Sequence, residues 1–232
     1  MSLIIPVSQT LASVCPDENT LLLIESADSD GATSFTDKSA TGHTVTVSGY
    51  TQHDTAQKPF GSSSIVFDGS GDYLSVPDSS DWAFGTGPFT IELFTRSGGI
   101  NDDLLEQGTG GSAGSYAFAM WISGDHYYAT VSDGSSGYAL TASSNIVDSA
   151  WHHVALVRDG NRFDLFVDGA SEANRTNAIT MNDFASTVKF GTVVGNGAGG
   201  LFTGNMTGIR ISDVARYPGG TTFSIPTDLF CA

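Results

Sequence analysis

Apolar and polar residues alternate along this chain with a period of two, in short runs separated by Gly, Ser and Asp. In residues 43–48 (HTVTVS), Val45 and Val47 fall on one side. In residues 89–96 (FTIELFTR), Ile91, Leu93 and Thr95 share one face, and Glu92, Phe94 and Arg96 share the other. Successive side chains of an extended backbone point to opposite faces, so this period predicts half-buried β-strands. The same reading predicts strands over 20–25, 64–67, 73–76, 116–122, 126–131, 138–142, 187–194 and 207–212. No window longer than about ten residues sustains a helical period.

The clearest element is residues 151–169 (WHHVALVRDGNRFDLFVDG). Apolar runs at 153–157 and 163–167 flank Arg158-Asp159-Gly160-Asn161-Arg162, which predicts a β-hairpin. Gly160 and Asn161 tolerate positive φ, and Asp159 can bond its own backbone. Phe163, Leu165 and Val167 lie opposite Arg162, Asp164 and Asp168, so the second strand reads as half-buried and the first as more deeply buried.

Between the strands, 68–72 (DGSGD) reads as a tight turn. Residues 81–84 (DWAF) read as one helical turn plugging an end of the fold. Leu104 and Leu105 suggest a short strand or anchor inside the Gly-rich stretch 98–114, and 195–200 reads as a loop. Residues 1–19 form an arm, and 20–232 form one domain whose tail, 214–232, is an irregular strap carrying Tyr217, Phe223 and Phe230. About a dozen strands without helices predict an all-β, two-sheet antiparallel sandwich.

Charge narrows the partners. There are 25 acidic residues against 9 basic ones, a net charge of −16, over 232 residues. Such a chain lacks the clustered Lys and Arg that grip phosphate backbones, so nucleic acid is excluded as an expected partner. Anionic membrane surfaces would repel it too. The start, MSLIIPV, has no basic region and a proline breaks its apolar run, so neither a signal peptide nor a membrane span is expected. Cys15 and Cys231 sit near the two ends, which in a sandwich often lie close enough for a disulfide; unpaired thiols, as in a protein made in the cytoplasm, are the preferred expectation.

Four segments together resemble the laminin-G-like, concanavalin A-like lectin superfamily. They are 63–76 (SSIVFDGSGDYLSV), 89–94 (FTIELF), 151–169 and 206–217 (MTGIRISDVARY). One departure is Phe94, where the family usually carries Trp. The resemblance implies a jelly-roll sandwich. The last two blocks, with the strap residues 223–226 (FSIP), are similar to the version found in bacteriophage virion proteins. That similarity implies a non-catalytic virion protein, a capsid decoration or a fibre or tail appendage, made in the host cytoplasm. Other virion proteins and sister subunits of a homo-oligomer would be its partners. The alternatives are a carbohydrate-binding adhesin that meets cell-surface glycans and, third, a polysaccharide-degrading enzyme.

The candidate sites follow from side-chain chemistry. A sugar site needs a flat aromatic ring with polar groups on one open face, and Phe94 and Trp121, with Glu92 and Arg96, supply those types. Ala117 and Ala119 would leave room beside Trp121. Asp68 and Asp72, with Asp213 near a later strand end, offer the hard oxygen ligands of a calcium site. Leu3, Ile4, Ile5 and Val7 would grip a capsid or a sister subunit. No glycanase pattern of alternating carboxylates and no nucleophile elbow is present, so catalysis is not expected. His152 and His153 are adjacent in a strand and face opposite sides, so they cannot share a metal; His152 reads as structural.

Overall fold

The computed structural model describes residues 16–110, 112–146, 148–192 and 201–230. Leu3, Ile4, Ile5, Val7, Cys15, Cys231 and the 195–200 loop lie outside them. The described residues form fifteen β-strands: β1 (Thr20–Ile24), β2 (Thr46–Ser48), β3 (Gln52–Asp54), β4 (Ser64–Asp68), β5 (Tyr73–Val76), β6 (Phe89–Ser97), β7 (Asp103–Gly108), β8 (Tyr116–Ser123), β9 (His126–Ser132), β10 (Gly137–Thr141), β11 (His152–Asp159), β12 (Arg162–Val167), β13 (Ala170–Thr176), β14 (Val188–Phe190) and β15 (Thr203–Ser212). Two antiparallel sheets result. One has eight strands in the order β13-β12-β11-β6-β15-β4-β3, with β1 pairing on the second half of β15. The other has seven, in the order β10-β9-β8-β7-β14-β5-β2.

The core lies between the sheets. Ile91, Leu93, Val154, Leu156, Phe163 and Leu165 project into it from the eight-stranded sheet, and Phe118, Met120, Ile122, Ala129 and Val131 project from the other. Each of the larger of these side chains removed from water contributes about 1.5–3 kcal/mol, and the Ala129 methyl about 0.8 kcal/mol. The expected helical turn is a 3-10 turn at Ser80–Trp82, and Trp82 is fully buried beneath it.

Two short stretches were not legible as strands. Gln52–Asp54 and Ala170–Thr176 are edge strands with polar sequences, held by backbone pairing rather than by an apolar face. The second strand of the 152–167 hairpin is also more enclosed than its alternation predicts. Asp164 and Phe166 are buried, because β13 flanks the strand and the C-terminal strap covers its outer side. Tyr217 and Phe223 of that strap stack at 3.5 Å and 2°, and they pack on Ala155, Val157 and Phe166.

The turn of the same hairpin also anchors a loop. The buried Arg158 donates to the carbonyls of Gly85 and Ile179, both at 2.7 Å, and of Gly160 at 2.9 Å. A buried guanidinium is tolerated here because its donors meet carbonyl oxygens.

Candidate functional site

The seven-stranded sheet has an outer face opposite the core. The β8–β9 hairpin turns through Gly124 and Asp125, with Gly124 at φ +62, and pairs Ser123 with His126. That two-residue turn fixes the register, so Trp121 faces Tyr128 directly across the strands. Their rings lie nearly parallel, 14° apart with centroids 5.5 Å apart, and both are half-exposed. Along this row Thr141 is the partner of Tyr128, and Asp103 is the partner of Trp121 on β7. A second row, about 7 Å along the strands, runs Thr46, Ser75, Lys189, Glu106, Ala119, Thr130 and Ala139. The small side chains of Ala119 and Thr130 leave the aromatic pair standing above them.

The acids of this face are buried. Burial, followed by the neighbouring charge of Asp102, raises the Asp103 carboxyl to about 7. Asp102 is raised as well, by burial, although Ser97 and the backbone N–H groups of Thr203 and Gly99 donate to it. Glu106 is fully buried. Lys189, its partner on β14, holds its ammonium 5.4 Å from the centre of the Tyr73 ring.

The expected sugar-site residues divide between the two sheets. Trp121 is on the outer face just described, with Ala119 beside it as expected, whereas Ala117 falls at a bulge in the β7–β8 register and is buried in the core instead. Glu92 and Phe94 are on the outer side of the other sheet, beneath the strap, so they form no surface with Trp121. Glu92 is fully buried and accepts from His153 Nε2 at 2.9 Å, from Arg210 Nε at 2.8 Å and from the Tyr217 hydroxyl at 2.7 Å. Burial alone would raise its carboxyl, but His153, Arg210 and Tyr217 outweigh this and lower it to about 2. Phe94 packs edge-on against Phe60, with ring centroids 4.7 Å apart, and tilts against His153 and Phe230. Arg96 pairs not with Glu92 but with the carbonyl of Ser149, at 2.7 Å. The reason is the strap, which roofs this face and makes Glu92 a fastening point rather than an open hydrogen-bonding group.

The three expected calcium ligands do not converge. Asp72 is buried and accepts from the backbone N–H groups of Tyr50, at 2.5 Å, and Asp68, at 2.9 Å. Asp68 accepts from the N–H of Ser70. Asp68 pairs with Thr203 at the start of the ten-residue β15, whereas Asp213 follows its end, about 30 Å away along the strand. No group of three His, Cys, Asp or Glu side chains among the described residues is placed to hold a metal ion. His152 is structural in the expected sense: Asp168 lies 2.7 Å from its Nδ1 and Asp148 lies 3.2 Å from its Nε2.

Residues 68–219 match the family model of the concanavalin A-like lectin/glucanases superfamily. The chain belongs to this superfamily. Among curated proteins, none matches. Solved structures share the fold at low identity. The binding domain of Paraclostridial mosquitocidal protein 1 superposes with a TM-score of 0.68 at 15% identity, over 85% of this chain and 49% of that one. The binding domain of botulinum neurotoxin serotype C1 gives 0.61 at 12% identity, over 85% and 49%. The binding domain of botulinum neurotoxin DC, solved in complex with SialylT, gives 0.60 at 12% identity, over 85% and 48%. The chain thus spans about half the length of these toxin binding domains. None of the three is a virion protein, so the expected phage setting draws no support from them.

Tyr128, Asp103, Glu106 and Lys189 were missed as site residues. Tyr128 was recoverable, because a two-residue turn at Gly124-Asp125 places it opposite Trp121 once both strands are granted. The other three depend on which strands become neighbours, which no local pattern states.

Proposed function

We propose that this superfamily domain binds glycans, without catalysis, through the outer face of its seven-stranded sheet. The observation that carries the reading is the half-exposed Trp121–Tyr128 pair standing over Ala119 and Thr130, with Asp103 across the next strand. Aromatic rings pack against the C–H faces of a sugar, and carboxyl and hydroxyl groups beside them orient its hydroxyls. Membership in a superfamily that holds lectins supports it, and so does the likeness to toxin binding domains. The test is a glycan array with Trp121→Ala as control. Binding that the substitution removes while the melting temperature holds supports the reading; no bound glycan refutes it.

One observation favours a second reading. Asp103, raised to about 7, lies in the range of a proton donor and shares β7 with Glu106, as a glycanase acid and its partner carboxylate would. Burial of Glu106 beside Lys189 argues against it, since the second carboxylate must reach substrate or water. Release of reducing ends from neutral polysaccharides, abolished by Asp103→Asn, would establish hydrolysis instead. A virion setting, with capsid or fibre partners, self-association and synthesis in a host cytoplasm, is proposed on the sequence resemblance alone. An immunoblot of purified particles tests it.

A further inference from the structure

The two sheets differ in their cations. Arg96, Arg158, Arg162, Arg175 and Arg210 stand on strands of the eight-stranded sheet. Among the described residues, Lys189 is the one Lys or Arg on a strand of the seven-stranded sheet. Its ammonium lies 5.4 Å from the centre of the Tyr73 ring, and its cross-strand partner is Glu106. The same sheet carries Asp103 and Glu106 on the face of Trp121. At the adjoining turn, the half-exposed Asp125 lies 3.0 Å from His126 Nε2. Around this sits a chain of net charge −16.

We infer that the glycan taken by this face is uncharged, and that sialylated and uronate-bearing glycans are excluded from it. The inference rests on the glycan-binding reading above. Recognition of a carboxylate needs a guanidinium fork or an uncommitted ammonium. Among the described residues this face offers neither free: Lys189 lies over the Tyr73 ring, and the Arg175 guanidinium, which reaches the β10 edge, donates to the Ala139 carbonyl and to Asn177 and covers the Tyr138 ring. A neutral sugar carries no charge to be repelled, and its hydroxyls can pair with the hydroxyls of Tyr128 and Thr141 in the row of Trp121. Like charges repel across a partly buried surface, and the low-dielectric sheet beneath Glu106 and the neighbouring Asp102 and Asp103 extends that field outward.

The experiment is an array of neutral oligosaccharides, each printed beside its sialylated counterpart and probed with the full chain. The sialylated member should bind at least about tenfold more weakly, the equivalent of ~1.4 kcal/mol of repulsion. The gap should shrink in high salt and in the isosteric double variant Asp103→Asn, Glu106→Gln. Trp121→Ala should abolish binding of the neutral member. Equal or tighter binding of sialylated members, still lost in Trp121→Ala, overturns the inference and leaves glycan binding standing. Binding to no glycan refutes the glycan reading itself and this inference with it. If the double variant fails to fold, salt dependence in the native chain decides between repulsion and indifference.

Discussion

The hydroxyl of Tyr217 reaches back across 125 residues of chain to donate to the buried carboxylate of Glu92 at 2.7 Å. That bond fastens the C-terminal strap to the middle of the eight-stranded sheet. Glu92 also holds Arg210 and His153, so strand β15, strand β11 and the strap meet at one carboxylate. The Arg210 guanidinium in turn lies 3.7 Å from the centre of the Phe230 ring.

Replacing Glu92 by Gln should therefore cost roughly 3 kcal/mol, since removing one member of a buried ion pair strands the other. For a chain of this size that lowers the melting temperature by about 6–12 °C. The Glu92 carboxyl is lowered to about 2. Its contribution is thus present above the ordinary carboxylate value and lost as pH falls towards 2. Thermal melts from pH 7 to pH 2 check this: native and variant curves should converge at the acid end, and a constant gap would contradict it.

Tyr217→Ala should loosen the strap selectively. The substitution removes both the stack on Phe223 and the bond to Glu92. Large-to-small changes of buried aromatic side chains cost about 3–5 kcal/mol, and less where the site is partly open, as here. Limited proteolysis should cut within residues 218–230 of the variant before it cuts the sheets. Unchanged digestion would show that the strap is held elsewhere.

Asp103→Asn should stabilise the protein at neutral pH. Burial and the Asp102 charge raise this acid to about 7. Between its unfolded value near 4 and 7, the folded state binds the proton that the unfolded state has released, so native stability falls as pH rises through that window. The variant should match the native chain at pH 4 and exceed it by about 1–3 kcal/mol at pH 8. Denaturant unfolding at the two pH values measures it.

His152→Gln should act in the opposite pH range. Bonding to Asp168, then to Asp148, raises the His152 ring above its ordinary value, against the opposing effect of burial. The stabilisation it supplies is complete below about pH 6.5 and lost as pH rises through the folded value. Both carboxylates are about half exposed, so solvent screening limits the effect to roughly 1 kcal/mol. The variant should melt below the native chain at pH 6 and close to it at pH 9.

Much of the fold was legible because its signals are local. Alternation along 89–96 and 116–122 marks strands whatever surrounds them, and Asp159-Gly160-Asn161 can turn a chain on its own backbone preferences. The site was legible only in part. Trp121 falls opposite its strand's apolar set, and that much is local. Alternation, however, names two faces without saying which will be roofed. Glu92 and Phe94 have the same local pattern as Trp121, yet they lie under Tyr217 and Phe230, more than a hundred residues away.

The sequence alone thus determined a two-sheet antiparallel sandwich, its principal hairpin and a family likeness, because strand period, turn residues and charge balance act over a few residues. Only the tertiary structure decided that the strap closes the outer side of the eight-stranded sheet and that Asp103, Trp121 and Tyr128 come into one row. It also showed that Asp213 lies at the far end of β15 from Asp68 and Asp72. Those outcomes depend on which distant strands pair, and strand pairing is chosen by burial of the whole core rather than by any one stretch of chain.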